Sequence, residues 1–344
     1  MSKIYLHIGT HKTGTTSIQK YMSSNPGVLN SVGLYYPNVN LVQSRSYFAH
    51  HKLAHSIAGK GKNPWSNDTI RRFIDLSITN AGGNDVVISA EPFYRHLLNP
   101  DDIRPRHIND QMYWSYREAY IKKTFSYFAD YEVELVVVFR GQSSFLKSRY
   151  QENVKSNSFS GSPFELYLAK RNEFEYYQQV TLWNKYFQSI NVGIYEDLIA
   201  NGSFVENFLE SLVSVKTSGL LTDQAIKNTS IHPLIIEFKK HLKINYRDEL
   251  STRELRKLQK IACQKKVISS DQTYSYVTPC EEKMIMATYV DCNQMLKKHY
   301  LSPNQPFFPD VLDTADTPLN PAISLNLDLI KKLHLYLTKI RGGK

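Results

Sequence analysis

Gly9 and Gly14, with four residues between them, lie behind a short apolar run and ahead of a threonine pair, in HIGTHKTGTTSIQKY at residues 7–21. A glycine-containing turn that feeds a helix presents backbone amides and the positive end of a helix dipole, and together these hold a phosphate. Loops that hydrolyse nucleoside triphosphates place a lysine directly after the second glycine, as G-x-x-x-x-G-K-[ST]. Here Thr15 and Thr16 follow Gly14, and the only lysine within the loop is Lys12. Such a loop lacks the cation that reaches the outer phosphates of ATP. It suits a donor whose 5′-phosphate carries a transferable group, with Lys12 neutralising charge on the bridging oxygen as that bond breaks. The hydroxyls of Thr15 and Thr16 would add donors. No candidate strand ends in an aspartate placed for magnesium, so no metal is expected to be required.

Arg140 ends the run VVVFR, and Ser148 follows eight residues later, about two turns into the next helix. A guanidinium gives a fixed fork for phosphate oxygens and a serine adds a hydroxyl, so the pair could hold a second phosphate of the same ligand. For a base that takes a proton from a hydroxyl, Glu91 in VISAEPFY is the first candidate, because it ends the strand expected beside the phosphate loop. His11, inside the loop, is the second, with a near-neutral pKa as its merit. His51 and His55 share a helix face, but no third ligand at a suitable spacing makes them a zinc site. The aromatic stretches LYYPN and QMYWSYREAY could stack on sugar rings or serve as half-buried packing.

These residues need a scaffold, and the chain supplies alternating strand and helix patterns. Residues 3–8, 85–90, 133–139 and 191–195 are short apolar runs, two of them rich in valine, as buried parallel strands are. Helical patterns run over 15–24, 68–79, 112–129, 142–155 and 174–188. Alternation of this kind implies a parallel sheet covered on both faces, with ligands at the carboxyl ends of the strands. The loop at 9–16, Ser89 to Glu91, Arg140 and Tyr195 to Asp197 all fall there. From about residue 220 the pattern becomes helical, at 234–243, 251–263 and 281–298. Residues 302–322 read as a surface loop, and 324–340 as a last amphipathic helix. The expected architecture is a three-layer α/β fold of P-loop-like type, with a mostly parallel central sheet and C-terminal helical additions. Residues 1–310 form the main domain, and the loop and helix of 311–344 pack on it.

The motifs carry a resemblance. GTHKTGTT resembles the 5′-phosphosulfate loop of sulfotransferases that use 3′-phosphoadenosine 5′-phosphosulfate (PAPS), and VVVFRGQSSFLKSRYQ is similar to their 3′-phosphate site. VGIYEDLIANGSFVENFLESL resembles the strand-YED-helix segment that follows in that family, and the opening LHIGTHKTGTTS and the segment WNKYF at 183–187 are similar to its bacterial members. The likeness runs over roughly residues 3–215, with a fainter trace at 290–308. It implies that Lys12, Thr13, Gly14, Thr15, Thr16 and Ser17 hold the 5′-phosphosulfate. By the same resemblance Arg140 and Ser148 hold the 3′-phosphate, Tyr195 lies near the adenine, and adenosine 3′,5′-bisphosphate is the product. Glycan sulfotransferases of related type use a glutamate base, which points again to Glu91 and to a hydroxyl acceptor on a carbohydrate or glycolipid. One departure is that the late Arg-Lys-Gly segment of many cytosolic members is missing, RGGK at 341–344 being the only similar string. A kinase with a degenerate loop and an anion-binding module with a decayed active site are the alternatives.

Bulk composition agrees and excludes little more. The 344 residues, 42% hydrophobic and 22% charged, are ordinary for a folded chain that buries a core. The formal charge of +10 favours an anionic partner, a membrane surface touched peripherally among them. No arginine-rich tail, zinc-finger spacing or aromatic RNA-binding signature points to nucleic acid. No stretch reaches the roughly 20 apolar residues of a membrane span. Three unclustered cysteines and a start, Met1-Ser2-Lys3, without a signal-peptide pattern imply a cytoplasmic protein with reduced thiols.

Overall fold

Period-two alternation along the apolar runs sorts their side chains onto two faces of one sheet. The computed structural model describes residues 2–99, 108–156, 159–200, 202–217, 231–269, 276–303, 307–308 and 325–342. Five strands, β1 (Ile4–His7), β2 (Leu34–Tyr35), β3 (Asp85–Ser89), β4 (Val133–Phe139) and β5 (Ser189–Ile194), form a parallel sheet in the order β2-β3-β1-β4-β5. On one face Leu6, Ile88, Val137 and Ile194 join a large apolar core, and on the other Tyr5, Val87, Val136 and Val138 join a smaller one. This is the expected α/β architecture of a parallel sheet flanked by helices.

The described residues fall into two compact units. The first holds the sheet with helices α1 (Thr15–Ser24), α2 (Pro26–Ser31), α3 (His51–Ile57), α4 (Asn67–Ala81), α5 (Pro92–Arg95) and α6 (Asp110–Phe128). The second contains α7 (Gln142–Ser156) and α8 (Pro163–Lys170). The chain then returns to the first unit for α9 (Tyr176–Asn184), α10 (Tyr195–Leu198) and α11 (Phe204–Leu212). Helices α12 (Pro233–Tyr246), α13 (Thr252–Gln264) and α14 (Pro279–Thr288) belong to the second, α15 (Val290–Tyr300) to the first, and α16 (Leu327–Gly342) to the second. Within the second unit α7 packs on α12 and α14, and α13 on α16. The loop expected at 302–322 lies mostly outside the described residues.

Strand order decides where a ligand can sit. From β1 the chain leaves toward β2 on one side, and from β4 toward β5 on the other. A crevice opens where connections diverge in this way, at the carboxyl ends of the two strands. The residues just past β1, β3 and β4 are therefore the ones to inspect.

Candidate active site

The loop after β1 is tied to β4 before it reaches the helix. The amide of Ile8 donates to the Val136 carbonyl (2.9 Å), and the Thr10 hydroxyl donates to the Val138 carbonyl (2.8 Å). The buried Thr13 closes the turn by donating to the Thr10 carbonyl (2.8 Å). Three residues adopt left-handed backbone, Gly9 (φ 54°), Lys12 (φ 69°) and Gly14 (φ 73°). For the glycines this costs nothing steric, whereas a non-glycine pays about 1–2 kcal/mol. Gly14 has a second reason to lack a side chain: a Cβ there would lie 2.3 Å from the Phe204 ring. It stands at the N-cap of α1 and no side chain caps the helix, so the first-turn amides of Thr15 and Thr16 point outward without a partner among the described residues. That is an anion cradle by geometry. The side chains of Lys12, Thr16 and Ser17 are all half-buried beside it.

Glu91, immediately past β3, lies against this loop with only 5% of its surface exposed. A Cβ on Gly9 would sit 3.2 Å from its Cγ, so the glycine lets the carboxylate close in. Its two oxygens accept from the Thr15 hydroxyl, from Gln19 Nε2 (3.3 Å) and from His51 Nε2. Thr15 was expected to aim its hydroxyl at a ligand; it is committed to Glu91 instead. Burial alone would push this carboxyl up. The hydrogen bond from His51, the charge that His51 and His11 carry when protonated, and the Thr15 hydroxyl outweigh burial and hold it well below the usual carboxylate range. Glu91 is an ionised carboxylate.

His51 reaches it because the start of α3 is bolted to the end of β3. The His50 amide donates to the Ser89 carbonyl (3.0 Å), and the Ser89 amide donates to His50 Nδ1 (2.9 Å). Nδ1 accepts, so Nε2 carries the proton and donates to the Pro37 carbonyl (2.7 Å). His50 is buried and burial lowers its pKa to about 4, which keeps it neutral. His55, one turn further along α3, pairs its Nδ1 with His96 Nε2 (2.8 Å). The two helix histidines thus face different partners, and among the described residues no group of three side chains could hold a metal.

Arg140 directly follows β4. Its Nη1 donates to the Lys12 carbonyl (3.2 Å), its guanidinium lies 5.0 Å over the Tyr195 ring, and Tyr195 packs edge-on against Phe204 at 5.7 Å. The loop after β1 and the ends of β4 and β5 are thereby linked through Lys12, Arg140, Tyr195, Phe204 and Gly14. Glu196 also reaches this corner, 3.9 Å from Arg140 Nε and accepting from the Gly141 amide (3.2 Å). Ser148 stands half-buried on α7 in the second unit. The sequence located Lys12, Glu91, Arg140 and Tyr195 by their place at strand ends; it did not reveal Gln19, His51 or Glu196 as their partners. The tandem histidines of YFAHHKLAH were the one available signal. Of the aromatic stretches, Trp114 lines a cavity of about 640 Å³ with Glu118, Gln178 and Lys185, whereas Tyr113 is tied to Gln179 (3.0 Å).

No protein-family model and no curated protein matches the chain. A crystal structure of a sulfotransferase from Alicyclobacillus acidocaldarius is similar to it with a TM-score of 0.42 and 14% identity, over 74% of this chain and 99% of that one. A likeness of that size carries no inference about activity, which has to come from the chain's own residues.

Proposed function

We propose that the chain is a sulfotransferase that moves the sulfuryl group of PAPS to a hydroxyl, on a carbohydrate or glycolipid. The observation that carries the reading is the loop: an uncapped helix start with a lysine at its left-handed crest and threonines where a kinase loop has its lysine. The outward amides of Thr15 and Thr16, with Lys12, Thr16 and Ser17, would hold the 5′-phosphosulfate. Lys12 would neutralise the phosphate oxygen as its bond to sulfur breaks. Arg140 would meet the 3′-phosphate and Tyr195 the adenine. The ionised Glu91 places a negative charge beside the loop, as deprotonation of an acceptor hydroxyl requires. Acceptor identity is proposed from the resemblance, and the net charge of +10 favours an anionic partner.

Calorimetry tests the nucleotide half directly. Adenosine 3′,5′-bisphosphate should bind at least about tenfold tighter than AMP, a difference of about 1.4 kcal/mol, and Arg140→Ala should remove most of that preference. Equal affinity for the two nucleotides, or tighter binding of ADP with magnesium, would point to the kinase-like alternative.

A further inference from the structure

We propose that His51 is the group that takes the acceptor's proton and that Glu91 is the carboxylate that positions it; the assignment rests on the sulfuryl-transfer reading above. Glu91 is poorly placed to meet a substrate itself, being 95% enclosed with Thr15, Gln19 and His51 all directed at its oxygens. His51 is the open member of the pair: its side chain is 30% exposed against 6% for Glu91. An ionised carboxylate can only accept, so His51 Nε2 must donate to it and the neutral ring keeps its lone pair on Nδ1. That Nδ1 has no hydrogen bond to a described residue and is not among the enclosed polar atoms. The ring is fixed in place, because His50 ties the start of α3 to Ser89, two residues before Glu91.

The step balances without a further reagent. The bond between sulfur and the donor's phosphate oxygen breaks, and its electron pair stays on that oxygen beside Lys12. The acceptor oxygen forms the new bond to sulfur, and its proton moves to His51 Nδ1. The resulting imidazolium is held by the Glu91 charge, so the pair passes from one net negative charge to neutral. The charged and titratable groups facing His51 are Glu91 and, acting on that same carboxylate, His11 from the loops after β3 and β1, with the buried His50 beside it at the start of α3. Tyr47 packs from the preceding loop, with ring centroids 6.0 Å apart, and His55 from its own helix at 6.5 Å. Beyond His55 lie His96, Arg95 and Lys60.

Two measurements on the full chain decide the assignment. Nitrogen-15 NMR of the histidine rings reads the tautomer without any substrate, and the neutral His51 ring should carry its proton on Nε2; a proton on Nδ1 overturns the proposal. Release of sulfuryl from labelled PAPS to water and to simple alcohols is then followed from pH 5 to 9. His51→Gln can still donate to Glu91 but cannot take a proton. It should lose about 10²–10⁴-fold in turnover and the acid limb of the profile, with adenosine 3′,5′-bisphosphate binding unchanged. Glu91→Gln leaves in place the ring that takes the proton, so it should keep an acid limb and lose less turnover than His51→Gln. A His51→Gln protein with the native acid limb overturns the proposal. A wild-type chain that binds no adenosine 3′,5′-bisphosphate defeats the sulfuryl reading, and with it the base role, even where the tautomer upholds the hydrogen-bonded pair.

Discussion

Lys12 occupies a backbone conformation that its side chain makes expensive, with φ at 69°. A chain that needed only the turn would use glycine there, so the cost of about 1–2 kcal/mol argues that the ammonium is wanted at the crest. Two substitutions separate charge from turn: Lys12→Ala removes the charge and keeps the strain, and Lys12→Gly removes both. If the ammonium serves the departing phosphate, both should lower turnover far more than nucleotide affinity, since the charge it meets develops only in the transition state. Lys12→Gly should also be the more stable of the two by about 1 kcal/mol, read from the denaturation midpoint. Equal losses in affinity and turnover would make Lys12 a ground-state anchor. At this scale the sequence exposed residues whose position follows from a strand end, such as Lys12, Glu91 and Arg140. It hid partnerships made across the fold: His51 meets Glu91, forty positions further along the chain, and the tandem histidines of YFAHHKLAH do not say which partner they meet.

Among the elements, α1 shows how a short helix becomes a binding surface. Its buried residues Ile18 and Met22 join the smaller core, while its N-terminus is left without a cap at Gly14. Gly14→Ala should destabilise the chain by about 1–3 kcal/mol, from the left-handed backbone and from the Phe204 ring that the new methyl meets. Adding Phe204→Ala should recover the steric part and leave the backbone part, and a double-mutant series of denaturation midpoints measures both. No recovery would place the whole cost in the backbone. The long elements were legible because their periodicity is carried by many residues: α1 runs over the expected 15–24 and β4 over 133–139. The two-residue strand β2 is too short to have a period, and it was missed. The stretch 281–298, read as one helix, is α14 and α15, parted at Tyr289, whose buried ring stacks on Phe174. Tertiary packing of a single aromatic overrode local pattern there. The helix α8 was passed over although Ser162 and Glu165 form a capping box at its start and Pro163 takes its first position.

At the scale of the whole molecule, the arrangement that positions the site also makes it sensitive to acid. His7 is enclosed at the end of β1, with Nδ1 at 2.8 Å from the Ser89 hydroxyl, and burial lowers its pKa from 6.5 to about 4. His50 and His55 are lowered to about 4, and His96 to about 2, in each case chiefly by burial. An unfolded chain protonates these rings near pH 6.5, whereas the folded chain resists, so below 6.5 unfolding takes up protons. Their stabilising contribution is therefore complete above pH 6.5 and is lost as pH falls from 6.5 toward 4, with His96 extending the loss further. For the fully buried His7 and His50 the shift is worth roughly 3 kcal/mol each at about 1.4 kcal/mol per unit, a large share of the ordinary 5–15 kcal/mol. Glu91 adds to the same trend at lower pH: its carboxyl is depressed in the fold, so its contribution is present above the usual carboxylate range and fades as pH drops below it. Denaturant unfolding followed from pH 8 to 4 should show a midpoint that is nearly flat above pH 7 and falls steeply below 6.5, with proton uptake on unfolding above one at pH 5. A midpoint unchanged down to pH 4.5 would mean that the His7 and His50 rings reach solvent or a compensating anion in solution, and the enclosed seating of β1 and α3 against Ser89 would have to be abandoned.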